Sequence, residues 1–288
     1  MQLEFVKMNG LGNDFIMIED LDGTLDMSAE AVAWFCDRHF GIGADGLILV
    51  RRPVSPDADF AMHYFNADGS LAEMCGNGAR CFAKYVVDHG LVPADASSLV
   101  IETLGGPRPV TFSRAEDDTL ESATVDMGVP KLAPADIPTL LEGVQVYECP
   151  IETPAGVLNI TAVNMGNPHV VIWVDDVETA PIESVGPFLE QHELFPKGTN
   201  VEFAQLVDDA TVRVRVWERG VGETLACGTG ACAVTVAGTL SCRIGRDATI
   251  ELPGGDLTVR WHENEHVYMT GSAAVSFIGS IELPEDDA

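Results

Sequence analysis

Short runs of β-branched and aromatic residues bounded by Gly, Asp or Pro recur along the chain, at Leu47–Val50, Asp59–Phe65, Val170–Val174 and Thr211–Trp217. Such runs between turn-formers predict strands, and strand is the dominant signal. Helical signals are few. Ser28 is placed to cap a helix that the pattern carries through Phe40, with Gly41 as its terminator. A second helix is predicted from Gly76 to His89, stopped by Gly90, and a weaker one from Pro181 to Gln191. The run from Gly228 to Cys242 is apolar all round and rich in small residues, so it predicts a helix enclosed within a sheet-walled lobe. The acidic end, Pro284 to Ala288, is expected to fray.

Composition narrows the partners. A length of 288 residues suits about two domains, and a hydrophobic content of 46% is that of a globular protein rather than an acidic disordered chain. Sixteen Lys and Arg against 45 Asp and Glu give a formal charge of −29. A surface this negative repels phosphates, which argues against nucleic acid and against anionic membranes. Of the positive charges only Lys7, Lys84, Lys131 and Lys197 are lysines. An acidic, Lys-poor, well-cored chain suggests a salt-rich cytoplasm, where the Debye length falls to about 3 Å near 1 M and self-repulsion is screened. The first twenty residues carry Glu4, Lys7 and Asp14, so no signal peptide is expected. The longest uncharged run, Thr224 to Cys242, has a nominal spanning length but too many Gly, Thr and Ser residues, and reads as a buried helix. Seven cysteines in a chain of this size predict reduced thiols and a cytoplasmic location.

The two halves of the chain repeat one another. Met74-Cys-Gly-Asn-Gly-Ala-Arg-Cys81 returns as Ala226-Cys-Gly-Thr-Gly-Ala-Cys-Ala233, with Cys75 and Cys227 152 residues apart. Nine residues before each cysteine stands a polar residue, Asn66 or Glu218, followed by a turn. Gly12-Asn-Asp-Phe15 is echoed 154 residues later by Gly166-Asn-Pro-His169. Three paired features at nearly one offset predict two related lobes.

The chemistry follows from where the cysteines fall. A thiol at a helix N-terminus faces unpaired N–H groups and the positive end of the helix dipole, which is expected to lower its pKa from about 8.5. The glycines after it let an anion approach those donors. Two such ends could hold an amino-acid carboxylate with its Cα between two sulfurs. One thiolate would remove the α-proton and the opposite thiol would protonate the other face, a pair described by macroscopic titration.

Plainer readings compete. A lone cysteine is most often a small buried hydrophobe, the reading given to Cys36, Cys81, Cys149, Cys232 and Cys242. Asn13, Asn66, Asn167 and Asn200, taken singly, read as turn residues. His169 is open between a packed histidine and an accessory to catalysis. Glu218 and Arg219 would be a weak surface pair, were they not at the position mirroring Asn66. Gly41-Ile-Gly-Ala-Asp-Gly46 spells a dinucleotide fingerprint but follows a helix and enters a strand, the reverse of what pyrophosphate binding needs. His262-Glu-Asn-Glu-His266 spells a zinc-protease motif, yet it lies between two strand-like runs and reads as a hairpin turn. No metal and no NAD are implied.

The stretches that carry the repeat, with Lys7-Met-Asn-Gly-Leu-Gly-Asn-Asp-Phe15, Asn66-Ala-Asp-Gly-Ser70, Gly198-Thr-Asn200 and Glu218-Arg-Gly-Val-Gly-Glu-Thr-Leu-Ala-Cys-Gly-Thr-Gly230, closely resemble diaminopimelate epimerases and span nearly the whole chain in that family's order. The resemblance implies a cofactor-free enzyme interconverting LL- and meso-diaminopimelate on the way to lysine. It implies an α+β fold of two pseudo-symmetric lobes, each a curved mixed sheet wrapped about a central helix, with the site in a cleft that closes on substrate. The lobes would be residues 1–119, completed by a returning segment 272–288, and residues 120–271; a homodimer is expected. Cys75 and Cys227 match the catalytic cysteines. The backbone amides of Gly76, Asn77, Gly228 and Thr229 match donors to the reacting carboxylate. Asn66, Asn167, Asn200 and Arg219 match the set reading the distal end of the substrate, with Asn13 and Glu218 completing the lining. Arg219 can fork onto a second carboxylate, and Glu218 can pair with an ammonium. Some relatives have Gln where this chain has Gly46. Two alternatives stay open: a two-cysteine proline or hydroxyproline racemase, and a redox-sensing dithiol binding protein.

Overall fold

The computed structural model describes residues 2–283; the acidic end Pro284–Ala288, expected to fray, lies outside the described residues. The chain divides into two compact units. One runs through Val125 and resumes at Gly271, and the other is Asp126–Thr270.

In the first unit, β1 (Gln2–Gly10) and β2 (Asn13–Glu19) form a hairpin. α1 (Ala29–Cys36) then leads to β3 (Gly46–Arg51) and β4 (Phe60–Asn66). α2 (Gly76–Asp88) leads to β5 (Ser98–Thr103), β6 (Gly106–Arg114) and β7 (Leu120–Asp126). In the second unit the order is β8 (Cys149–Thr153), β9 (Gly156–Asn164), β10 (Pro168–Trp173), α3 (Ile182–Glu190), β11 (Asn200–Leu206), β12 (Thr211–Glu218) and β13 (Gly222–Thr224). There follow α4 (Gly228–Leu240), β14 (Asp247–Leu252), β15 (Gly255–Trp261) and β16 (Val267–Gly271). The last strand, β17 (Ala274–Glu282), returns to lie antiparallel along β1.

The two sheets have one grammar. From β1 to β7 the successive pairings run antiparallel, parallel, antiparallel, parallel, antiparallel, antiparallel. From β9 through β10, β11, β12, β14 and β15 to β16 they run in the same sequence. β17 on β1 takes the place that β8 takes on β9, both antiparallel. Each parallel step is made by a crossover that carries a helix, as parallel pairing requires. This is the expected α+β architecture of two related lobes. The strand that begins just after residue 119 pairs along β6, so the first unit extends past that position.

Each unit sets one helix against its strands, and in the second unit the strands curl about it. α4 packs on β9, β10 and β11 and also on β14 and β15, so strands from both ends of the sheet meet it. An enclosed helix needs apolar residues all round, and ten of its thirteen residues are buried. α2 fills the same place against β1, β2 and β3. The outer helices cover the other face: Ile182, Val185 and Leu189 of α3 pack with Ile172, Val201 and Phe203. Val32 and Phe35 of α1 pack with Ile16, Leu47 and Leu49. Strands covered on both faces lose the polar–apolar alternation of a half-exposed strand. Val170, Val171 and Ile172 are accordingly buried in succession.

α1 is shorter than the pattern predicts. Ser28 caps it as expected, accepting from the Ala31 N–H at 3.1 Å, but it stops at Cys36 rather than Phe40. The Asp37 carboxylate takes the N–H groups of His39 and Phe40 at 2.7 and 2.8 Å, and that local turn competes with a further helical turn. The apolar run at Gly228 likewise ends at Leu240, and Cys242 beyond it stands at φ 54°. Among the described residues no helix is long and apolar enough to cross a membrane.

Candidate active site

Both repeated cysteines are helix N-caps. Cys75 stands at φ −138°, ψ 120° before α2, and Cys227 at φ −124°, ψ 111° before α4. In each the sulfur accepts the N–H three residues on, Gly78 or Gly230, at 3.4 Å. The residues between, Gly76 and Asn77 or Gly228 and Thr229, carry the other first-turn N–H groups that an α-helix cannot satisfy internally. A carboxylate is the complementary ligand for them.

At the α2 end the half-buried Cys75 thiol lies 3.7 Å from Asn13 Oδ1, which also accepts from Asn77 Nδ2 at 3.2 Å. Asn13 Nδ2 donates to Asp45 at 2.8 Å. Asp45 and Asp14 share the Arg38 guanidinium, and the buried Lys7 ammonium bonds Asp14 and the Gly43 carbonyl. Burial works upward on the Asp14 carboxyl, but the contacts to Arg38 and Lys7 outweigh it and hold that group well below the usual carboxylate range. Asn66 bonds its own turn, its Nδ2 donating to Ser70 Oγ at 3.0 Å. A Cβ at Gly46 would fall 2.5 Å from the Phe65 carbonyl oxygen and 2.6 Å from the Tyr64 ring, so no glutamine fits there. The neighbouring Asp45 holds the amide instead.

At the α4 end Cys227 is buried, with its sulfur 3.4 Å from Thr229 Oγ1. Burial pushes its thiol pKa well up, and the nearby Glu218 and Glu202 carboxylates push the same way against the Thr229 hydroxyl and the Gly230 N–H. The expectation that the helix end would lower this thiol's pKa is therefore overturned. Desolvation and two like charges outweigh a dipole. Burial also raises the Glu218 carboxyl, opposed by a 2.5 Å bond from Thr224 Oγ1, by His169 and by a bond to Cys227. His169 is fully buried between Glu202, at 2.6 Å from Nδ1, and Asn167, at 2.9 Å from Nε2. Asn200 uses both amide ends on backbone, donating to Pro168 O and accepting from the Arg219 N–H. Arg219 is exposed and donates to the Lys197 carbonyl at 2.8 Å.

The sheet registers align the two ends. Phe15 pairs with Gly46, and Gly46 with Asn66; His169 pairs with Asn200 in the same parallel step. Asn13 therefore answers to Asn167, Phe15 to His169 and Ile48 to Glu202. Lys7, Asp14, Arg38, Asp45 and Glu202 escaped the sequence reading. The signal for Glu202 was a single charge inside the otherwise apolar start of β11. Of the cysteines read as buried hydrophobes, Cys36, Cys81 and Cys232 are buried, and burial pushes the first two thiols up to about 12. Cys149 is half-buried and Cys242 exposed, because one opens a strand and the other follows the end of α4. The fingerprint-like glycines run from the turn after α1 to Gly46, the first residue of β3, and His262–His266 is the turn between β15 and β16.

Comparison with known proteins agrees with this arrangement. The family model described as diaminopimelate epimerase matches residues 5–133 and 161–276. A diaminopimelate epimerase of Methanococcus maripaludis is 48% identical over 98% of this chain and 100% of its own length. One of Acetivibrio thermocellus is 46% identical, also over 98% of this chain and 100% of its own. Among solved structures, a hydroxyproline epimerase from Agrobacterium vitis shares the fold with a TM-score of 0.73 at 15% identity, over 99% of this chain and 94% of that one. A PhzF-family phenazine biosynthesis protein from Bacillus anthracis shares it at 0.68 and 16%, over 98% and 99%. Two cysteine-capped helices on one repeated sheet grammar, in a chain matched along nearly its whole length, make this protein a member of the diaminopimelate epimerase family.

Proposed function

We propose that the chain interconverts LL- and meso-diaminopimelate without an organic cofactor, with Cys75 and Cys227 as the acid–base pair. The observation that carries this reading is the repeated cap, in which each sulfur accepts the N–H of the third residue of a glycine-rich helix start. One thiolate takes the α-proton and the other thiol returns a proton to the opposite face, so reversal of direction exchanges their states. The first-turn amides at Gly76, Asn77, Gly228 and Thr229 hold the reacting carboxylate and stabilise charge developing at Cα. Asn66, Asn167, Asn200 and Arg219 read the distal carboxylate and ammonium, with Asn13 and Glu218 beside them. A substrate lacking those groups would forgo these contacts.

A cytoplasmic homodimer belongs to the same reading. Seven of the nine residues of β17 are exposed, among them the successive Phe277 and Ile278, which point to opposite faces of the strand. Apolar side chains on both faces of an exposed strand support self-association through it. Sedimentation of the wild type and Phe277→Glu tests this, with a monomeric wild type counting against it.

The reaction is tested by proton NMR of LL-diaminopimelate in D2O with reductant, concentrated salt and no pyridoxal phosphate. Loss of the α-proton signal as the meso isomer appears is the expected result. Exchange of hydroxyproline instead, the substrate class named by one structural neighbour, would keep the two-thiol chemistry and discard the substrate. Inertness toward both, with reversible oxidation of free thiols, would favour a dithiol sensor.

A further inference from the structure

Beneath the α4 end lies a carboxylate that the proposed reaction does not use. Glu202 is fully buried on β11, flanked by the apolar Val201 and Phe203. Its Oε1 lies 2.6 Å from His169 Nδ1, and among the described residues its Oε2 has no hydrogen-bond partner. A Cβ on Gly230 would come within 2.9 Å of that Oε1, so the group sits directly against the first turn of α4. At the equivalent register in the first unit, a Cβ on Gly78 would meet Ile48 and Phe15, plain hydrocarbon. An ionised group kept in an apolar wall is unfavourable unless it is paired and put to use.

We propose that Glu202 is a positioning residue for the reaction at Cys227, acting through His169 on Asn167. The inference rests on the reaction proposed above. The Glu202 carboxylate accepts the Nδ1–H of His169 and so holds the plane of the ring and the place of its proton. Nε2 is thereby aimed at Asn167 Oδ1, 2.9 Å away, and by donating a proton to that oxygen holds it inward and leaves the Nδ2 end of the amide for the substrate. The groups facing this cluster are Asn167 from the turn before β10, His169 from β10, Glu202 from β11, Glu218 from β12, and Cys227 and Thr229 from the start of α4. Asn13 is anchored differently, by the part-exposed Asp45 and with no histidine between. The two asparagines therefore answer to different controls.

Glu202→Gln keeps size and an acceptor oxygen but removes the charge. The expected result is a fall in kcat/KM for LL-diaminopimelate of about 10- to 100-fold, the range known for carboxylates that orient metal-bound histidines, with KM rising as Asn167 loosens. In 15N-histidine-labelled protein the His169 ring signals should leave the Nδ1–H pattern. The pH midpoint for alkylation of Cys227 should move while that of Cys75 stays. Unchanged kinetics, ring signals and alkylation would overturn the proposal. Should the variant fail to fold, the wild-type spectrum decides alone: a His169 ring without a proton on Nδ1 between about pH 6 and 9 overturns it, and a persistent Nδ1–H upholds it. If wild-type protein leaves diaminopimelate unchanged but the ring and Cys227 still respond to Glu202→Gln, the reaction fails and the positioning stands.

Discussion

The α2 and α4 ends share a backbone plan and differ in what lies under it. Beneath α2 the first turn rests on Phe15 and Ile48, and the charges are set to one side in the Lys7, Asp14, Arg38 and Asp45 network. Beneath α4 the charges are in the floor itself, as His169 and Glu202 with no exposed surface. Duplication preserved the sheet register, the cap and the glycines, which any anion-holding helix start requires. It did not preserve the electrostatics. A two-base reaction needs its bases in opposite protonation states and exchanges them on reversal, and unequal floors make those two states unequal in energy.

The largest effects should come where the ends are alike. Cys75→Ala and Cys227→Ala should each lower epimerisation by about 10²- to 10⁴-fold with the fold intact by circular dichroism, because each removes one proton-transfer partner. Wild-type turnover in either variant would sink the two-base mechanism. Next come changes that remake one floor as the other. His169→Phe alone leaves Glu202 buried without its partner and should cost about 3–5 kcal/mol in urea unfolding. The pair His169→Phe with Glu202→Ile copies the α2 floor and should match or exceed wild-type stability, by up to about 4 kcal/mol, while activity falls. A double variant weaker than the single one would show that the dyad stabilises the lobe.

Acid titration separates the ends by sign. Asp14 is held below its unfolded value, so its contribution is present above about pH 4 and is lost as pH falls through the folded value. Asp14→Asn should therefore cost about 1.5–3 kcal/mol at neutral pH and little in acid. Glu218 is raised by burial, so its contribution is present below about pH 4 and lost as pH rises through the folded value. Glu218→Gln should accordingly stabilise more at neutral pH than in acid. Parallel pH profiles for the two variants would contradict this. The smallest contrast is steric. Gly78→Ala meets Ile48 Cδ1 at 3.1 Å, a methyl that can turn aside, and should be nearly neutral. Gly230→Ala meets an oxygen at 2.9 Å that His169 holds in place, and should cost about 1–3 kcal/mol. Equal melting temperatures for the two would mean that the dyad yields easily.

Much of this was legible in the chain. The α2 and α4 helices, the repeat at offsets of 152 and 154, and strands such as Thr211–Trp217 follow from local periodicity and spacing, which are properties of neighbouring residues. The pattern predicts α1 too long because hydrophobic periodicity does not register that Asp37 bonds the amides of His39 and Phe40. Glu202 went unread for a different reason. Its partner is 33 residues away, joined by the parallel pairing of β10 and β11, and a lone charge between Val201 and Phe203 marks the position without naming that partner. The rise of the Cys227 thiol was hidden likewise: helix position is visible in sequence, whereas the depth of burial and two facing carboxylates are tertiary facts.

The return of β17 to β1 has a consequence for how the protein is made. The second unit is contiguous, so its strands can all pair once Thr270 has left the ribosome. The first unit, although synthesised first, waits for the strand along β1 until β17 emerges. At roughly 5–20 residues per second the interval between β7 and β17 is on the order of 10 s, during which β1 shows an unpaired edge to every other nascent chain nearby. Released chains truncated after Gly271 should be cut by protease within β1–β7 and resist it within β8–β16. Birth order and folding order would then be opposite, and the acidity of the chain would act first as a guard against co-translational aggregation.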